Sequence, residues 1–299
     1  MNINVSKLRE RALELGFIKI GFSKPREPVF YEDYCSWISA SKNAGMEWLE
    51  AGVDLRRNPS TLLAGCRTII SLAYPYPSKK PVTTDGFSVS RYSTPLEEDY
   101  HSRLRKICKE LVKVIRNIDS SIKSRICVDS APLLERSFAY SSGVGFIGKN
   151  NMLIIPGYGS FFYLAEILTT ADLDFQSARP YVNQCGSCKR CVDSCPTGAL
   201  EKPFLLNSSK CLSYLTIEHK HAVSADVGRR MGDCFFGCDR CQEVCPFNSF
   251  EQSIHVSLPS TEEFLKMTEE KFKERFGRTA LARAGLDKIK NNICVLSID

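Results

Sequence analysis

Histidine is scarce in this chain, with four residues in 299 against fourteen cysteines. So few imidazoles argue against a catalytic or metal centre built from histidine. His219 and His221, set in Glu218-His-Lys-His, read as a solvated turn. Long apolar runs are missing too: none approaches the roughly 20 residues needed to cross a bilayer. Met1 to Gly16 is polar with a helical pattern, and it lacks the basic-then-apolar order of a secretory leader. The expected home is therefore the reducing cytoplasm, with no membrane contact. Disulfides staple small secreted chains that lack a core. Here 43% of residues are apolar and 25% charged, enough for a globular core. A net charge of +6 is a mild basic bias, which permits attraction to nucleic acid or to an acidic redox partner.

What the chain has is cysteine in two dense groups. They read Cys185-x2-Cys188-x2-Cys191-x3-Cys195-Pro196 and Cys238-x2-Cys241-x3-Cys245-Pro246. The first reproduces the bacterial ferredoxin run, in which three thiolates hold one [4Fe-4S] cube and the fourth reaches to a second. One cube then needs Cys185, Cys188, Cys191 and Cys245. The other needs Cys195, Cys238, Cys241 and one more thiolate, for which Cys211 and Cys234 are both candidates. Zinc competes for Cys-x2-Cys pairs. Three cysteines at two-residue steps before x3-Cys-Pro, with a partial copy further on, select iron-sulfur.

Around these groups helical and strand periodicities alternate, and the fold class expected, on the resemblance given below, is α/β (α+β). Ser6 to Leu15 reads as an amphipathic helix stopped by Gly16. Ile18 to Gly21 and Thr68 to Ala73 read as short buried strands, the second ended by Tyr74-Pro75. Leu104, Ile107, Cys108, Leu111, Val114 and Ile115 form one helical stripe from His101 onward, with basic residues on the solvated face. Ser124 to Val128 reads as a strand delivering Asp129, and Pro132 to Tyr140 as a helix. Ser260 and Glu263 form a capping box before a helix bearing Phe264, Phe272 and Phe276.

Two further features carry candidate chemistry. Gly143-Val-Gly-Phe-Ile-Gly148-Lys149 matches a phosphate loop, but Asn150 stands where that loop needs Ser or Thr. It reads as a loop closing over a cofactor or substrate, with Lys149 and Asn150 as polar contacts. Asp99 opens a helix and Asp129 follows an apolar strand; each is a helix cap or a site carboxylate.

Taken together, Val128-Asp-Ser-Ala-Pro-Leu-Leu-Glu-Arg136, Gly145-Phe-Ile-Gly-Lys-Asn150, Gly159-Ser-Phe-Phe-Tyr-Leu-Ala-Glu166, the run Cys185 to Ala199, Cys211-Leu-Ser-Tyr-Leu-Thr216 and Gly237-Cys-Asp-Arg-Cys-Gln-Glu-Val-Cys-Pro246 resemble the epoxyqueuosine reductases. These are cobalamin and iron-sulfur enzymes of queuosine synthesis in tRNA. The resemblance implies a cobalamin-binding catalytic domain of the reductive-dehalogenase-like type over 1–178, a ferredoxin-like double-cluster domain over 179–250 and a short helical segment over 251–299. It implies Cys211 as the missing ligand of the second cube, leaving Cys234 as an extra thiol. It carries the essential acid over to Asp129 and implies cobalamin contacts at Arg57, Asp99, Tyr100, His101, Lys149, Asn150 and Ser160.

The implied reaction passes electrons from a ferredoxin- or flavodoxin-type donor through both cubes to cob(II)alamin. The substrate is epoxyqueuosine in the tRNA anticodon loop, and Asp129, kept protonated by enclosure, is the proton donor. A monomer is expected. The alternatives are a paralogous cobalamin reductase acting on a small molecule, including reductive dehalogenation, and a non-catalytic iron-sulfur electron carrier. Arg91-Tyr-Ser-Thr-Pro-Leu-Glu-Glu98 departs from the family wording in a stretch expected at the substrate mouth. The family's helical-repeat tail would begin about where this sequence stops.

Overall fold

The computed structural model describes residues 5–77, 80–95, 98–248 and 256–296. Its larger sheet has the spatial order Lys19–Ser23, Thr68–Pro75, Phe162–Thr169, Ser124–Cys127, with every pairing antiparallel. The architecture is thus α+β, with no parallel βαβ crossover in this sheet. On one face Ile20, Phe22, Ile70, Leu72, Ala165 and Ile167 pack against Leu8 and Ala12 of the Val5–Glu14 helix. Leu104, Cys108, Leu111 and Ile115 of the Tyr100–Arg116 helix fill the same core, as their stripe predicts. The opposite face is covered by the Glu135–Ser141 helix, through Phe138 and Ala139.

Thr68–Pro75 runs two residues past its expected end. Its first neighbour stops pairing at Ala73, whereas Phe162 pairs with Pro75 on the other side. The missing proline N–H therefore falls where one flank of the strand is already open, and it removes no bond from that ladder.

The expected divisions at 178 and 250 are crossed twice. Val82–Thr83 and Ser88–Val89 leave the first region and join a second sheet with Cys234–Phe236 and Ser257–Leu258. Beneath it Val89, Phe235, Phe236, Phe264, Phe272, Phe276, Ile289 and Ile293 form one core. The C-terminal helices Thr261–Lys266, Glu269–Phe276 and Leu286–Cys294 thus share their interior with the cluster region. Cysteine loops bury little apolar surface, so the aromatic tail supplies it. The capping box forms as expected: Ser260 Oγ accepts from the Glu263 N–H at 3.1 Å, and Glu263 Oε2 accepts from the Ser260 N–H at 2.9 Å.

Candidate active site and cluster pockets

The edge strand Ser124–Cys127 leads through buried Val128 to Asp129, whose φ of 56° lies in the left-handed region. That turn swings the carboxylate beneath the start of the Tyr100–Arg116 helix. Tyr100 donates its hydroxyl to Asp129 Oδ2 at 2.9 Å, and His101 Nε2 lies 3.2 Å from the same oxygen. The other ring nitrogen, Nδ1, is 2.5 Å from Asp99 Oδ1. Asp99 also caps the helix by accepting the His101 N–H at 2.9 Å. Its cap role and its place in the site are one arrangement. Tyr100 stacks on His101 at 4.0 Å and on Tyr163 at 4.6 Å between centroids, which fixes its ring and the direction of its hydroxyl.

The proton in this cluster belongs to histidine. Burial disfavours the imidazolium, but hydrogen bonds to Asp129 and Asp99 outweigh it and raise His101 to about 9. Burial pushes the Asp129 carboxyl up, yet bonds from His101 and Tyr100 prevail and hold it below its ordinary range. The expectation of a protonated Asp129 is thereby corrected: its hydrogen-bond donors favour the carboxylate, and His101 behind it carries the proton. Burial, then the Asp129 charge, pushes the Tyr100 phenol upward, so it stays a donor.

Asp129 is surrounded closely enough for desolvation to be the largest influence on it, yet 53% of its side chain is exposed. Both hold for a group with protein packed around most of it and one side open to solvent. Arg136, likewise exposed and strongly desolvated, donates to the Asn151 carbonyl beside it. From the C-terminal segment Arg283 reaches the same cleft, where its charge acts on Asp129 and Tyr100. Arg283 pairs with Glu218 at 2.5 Å and lies 5.9 Å from the ring centroid of Trp48, whose surface is 48% exposed. Sequence reasoning missed Trp48, Glu218 and Arg283, because only the fold brings them together.

The other expected contacts lie elsewhere. Lys149 and Asn150 sit between the short strands Phe146–Ile147 and Leu153–Ile154. Lys149 Nζ donates to the carbonyls of Gly186 and Cys188 at 2.5 and 2.9 Å, and Asn150 Nδ2 to that of Cys241 at 3.1 Å. Their polar atoms are engaged on the cysteine loops, so the glycine loop closes over the cluster region. Gly145 is required there, because a Cβ would strike the Ile154 carbonyl. Ser160 is buried and fixed to Gln242 and Asn248 across the same junction. Arg57 stands on the surface, ion-paired to Glu27 at 2.7 Å and lying over Tyr31.

Arg91 and Tyr92, from the stretch expected at the substrate mouth, instead bridge cleft and cysteine loops. The Arg91 N–H donates to Asp239 Oδ2 at 2.8 Å, and Tyr92 packs edge-on to Tyr100 while belonging to both main cores. Leu96 and Glu97 lie outside the described residues.

Cys185, Cys188, Cys191 and Cys245 line one cavity together with Lys149, Asn150 and Phe247. Cys195, Cys211, Cys238 and Cys241 form a second group close enough to influence one another's charge. Among the described residues no three such ligands close round a single ion. A cube holds its thiolates apart at its corners, so wide spacing suits it. The short helices Arg190–Asp193 and Arg240–Glu243, each bearing a cysteine, pack together and repeat one motif. Cys234 is buried in its strand, with its thiol directed at the Phe236 and Gly237 carbonyls at 3.5 and 3.6 Å.

Two ferredoxin-type cysteine sets together with the Asp99–His101–Asp129 cluster are the arrangement of an iron-sulfur oxidoreductase. Residues 184–248 match the 4Fe-4S double cluster binding domain, and residues 56–130 match the epoxyqueuosine reductase QueG (DUF1730) family. The epoxyqueuosine reductase of Cellulophaga algicola is 32% identical, over 96% of this chain and 95% of its own length. A crystal structure of epoxyqueuosine reductase with an epoxyqueuosine-modified tRNA-Tyr stem loop superimposes with a TM-score of 0.87 at 30% identity, over 97% of this chain and 80% of that one. The Bacillus subtilis enzyme, captured with its catalytic loop swung out of the active site, gives 0.85 at 30% identity, over 97% and 80%. This chain belongs to the epoxyqueuosine reductase family. Among the described residues no helix is long and apolar enough to cross a membrane.

Proposed function

We propose that the protein reduces epoxyqueuosine to queuosine in the tRNA anticodon loop, acting as a cytoplasmic monomer supplied by a ferredoxin- or flavodoxin-type donor. One [4Fe-4S] cube would be held by Cys185, Cys188, Cys191 and Cys245, the other by Cys195, Cys211, Cys238 and Cys241. The cofactor of the cleft would be cobalamin in a reductive-dehalogenase-like fold. The fit rests on the donor set at Asp129, whose side chain is 53% exposed with Tyr100 and His101 bonded to it. When bound, cobalamin would supply low-potential electron chemistry at the epoxide carbon.

The chain's own residues place one of the two protons that the reaction consumes. Converting an epoxide to an alkene consumes two electrons and two protons and releases the oxygen as water. Asp129 is the group that faces substrate, with His101 Nε2 holding a proton 3.2 Å behind its Oδ2. Delivery through Asp129 Oδ2 would draw that proton forward while Asp99 steadies the ring at Nδ1. Tyr100 orients the carboxylate. Trp48 and Arg283 at the rim would meet the nucleotide, the indole by stacking and the guanidinium at phosphate.

The observation that carries this reading is the Asp99–His101–Asp129 proton store opening onto a cleft joined to the cysteine loops through Arg91 and Tyr92. The test loads both clusters and cobalamin anaerobically, reduces the protein, adds an epoxyqueuosine stem loop and analyses the nucleosides by mass. Queuosine should form; its absence with all cofactors loaded and a donor present would reject the assignment.

A further inference from the structure

The two cysteine sets differ in the charge placed around them. The cavity lined by Cys185, Cys188, Cys191 and Cys245 has Lys149 and Arg190 in its wall and no carboxylate. Lys149 is half-buried, and its Nζ is fixed by the Gly186 and Cys188 carbonyls at 2.5 and 2.9 Å. Both bonds go to neutral acceptors, so they hold the ammonium without cancelling its charge. Its backbone is held as well, since the Lys149 carbonyl accepts the Phe204 N–H at 3.0 Å. Arg190 is exposed, where water and salt screen it. The next residue along, Asn150, is buried and reaches the other set, donating to the Cys241 carbonyl at 3.1 Å with a neutral amide. Beside Cys238 acids offset the cations: Lys80 and Arg240 share a cavity wall with Asp233, Asp239 and Glu243. Lys80 and Arg91 lie 3.5 and 3.4 Å from Glu243 Oε1, and buried Asp239 accepts the Arg91 N–H at 2.8 Å. One set thus faces an unopposed cation, and the other faces charges already paired.

We propose that Lys149 fixes the order in which the two cubes are reduced, making the one on Cys185, Cys188, Cys191 and Cys245 the first to take an electron. The inference rests on the two-cluster reading of the cysteine sets and adds to it a residue that tunes one cluster against the other. When a one-electron donor gives up its electron, the cube gains one negative charge, and no bond is made or broken. A fixed cation in the cavity wall favours that reduced form, and carboxylates nearby disfavour it. Lys149 acts mainly on the first set because its ammonium is bonded to that set's loop, whereas Asn150 offers the second set a dipole without charge. The first set is also the one an external donor can approach, since Gly186, Ser187 and Lys189 beside its cysteines are exposed. Ease of reduction and access therefore fall on the same cube.

Potentiometric titration of the anaerobic holoenzyme at one fixed pH, followed by the EPR of its reduced clusters, reads the order without turnover. Two one-electron waves are expected. In Cys211→Ser, which keeps the first cube, only the upper wave should remain. Lys149→Gln keeps a donor for the loop carbonyls and removes the charge. It should move the upper wave down by about 59 mV, a roughly tenfold loss in the reduction equilibrium of a one-electron couple, and leave the lower wave in place. Lys149→Arg keeps the charge and should leave both waves where they are. Iron analysis should find about eight irons per chain in both Lys149 variants. If the glutamine protein loses iron, Lys149→Met, which keeps the stem, is the second uncharged variant. Survival of the lower wave in Cys211→Ser, or an upper wave unmoved in the uncharged variant, overturns the proposal. Loss of the first cube from both uncharged variants overturns it too, because Lys149 would then clamp the loop and tune nothing. Failure to form queuosine with these waves in place rejects the reaction and leaves the order of filling standing.

Discussion

The cluster region and the cleft are built on opposite terms. Cys185, Cys188 and Cys191 lie partly exposed near Val182, which is 83% exposed, with the small buried cluster of Phe146, Ile154 and Cys245 beside Cys185, and the core beside Cys238 is shared with the C-terminal helices. The cleft stands on strands buried without a break from Ile69 to Ala73 and from Ala165 to Leu168. A cluster needs thiolates at short fixed spacing and supplies its own rigidity once bound. Proton delivery needs groups from separate elements held to fractions of an ångström, and only a packed sheet gives that. One chemistry is written along the chain and the other across the fold.

The largest expected effect comes from breaking the cluster side alone. Cys211→Ser should reduce iron from about eight toward four per chain and abolish turnover, whereas Cys234→Ser should leave iron nearly unchanged. Iron analysis with absorbance spectra of anaerobically purified protein checks this. Retained iron in the Cys211 variant, together with loss in the Cys234 variant, would exchange their roles.

Asp129→Asn strikes the other side. The amide keeps its size and can still bond Tyr100 but cannot pass a proton forward, so turnover should fall by roughly 10²–10⁴-fold with both clusters retained. Single-turnover assays with pre-reduced protein separate this from slow electron supply. If the variant instead fails to bind cobalamin, Asp129 holds the cofactor and does not deliver the proton.

A smaller effect comes from pH. His101 is raised to about 9, so the proton behind Asp129 is present below that value and is lost as the pH climbs through it. His101→Gln should remove this limb and lower turnover by about 10- to 100-fold at neutrality. The same shift stabilises the fold below the ordinary histidine range near 6.5, and that stability fades between there and about 9. Thermal melts across this window should flatten in the variant.

Legibility followed the same divide. The cysteine spacings within 185–195 and 238–245, the Leu104–Ile115 stripe and the Ser260–Glu263 box are local patterns, and each was readable because its members lie within a few residues of one another. The Lys149 loop was read as closing over a cofactor, but its partners, the carbonyls of Gly186 and Cys188, sit 37 and 39 residues away and leave no local trace. Asp129 was identified while its charge state was not. The histidine that sets it is 28 residues earlier, on a helix that only the sheet brings alongside.

Arg283 and Trp48 give the mildest test and the one that joins the two regions, since Arg283 comes from the cluster-side core while Trp48 belongs to the cleft side. Glu218 occupies the Arg283 Nε, and 45% of the Arg283 side chain is exposed. Arg283→Ala should weaken stem-loop binding by about tenfold and reduce the slope of log affinity against log salt by roughly 0.7, the signature of one lost contact to a single-stranded phosphate. Trp48→Ala should cost about 1–3 kcal/mol of binding with the salt slope unchanged, because stacking releases no counterion. Titrations at several salt concentrations, with inactive Asp129→Asn protein as the common background, separate the two. An Arg283 variant that leaves affinity and slope intact there but, made in the active enzyme with Asp129 in place, shifts the pH profile of turnover would show that this guanidinium serves the Asp129 charge and makes no nucleotide contact.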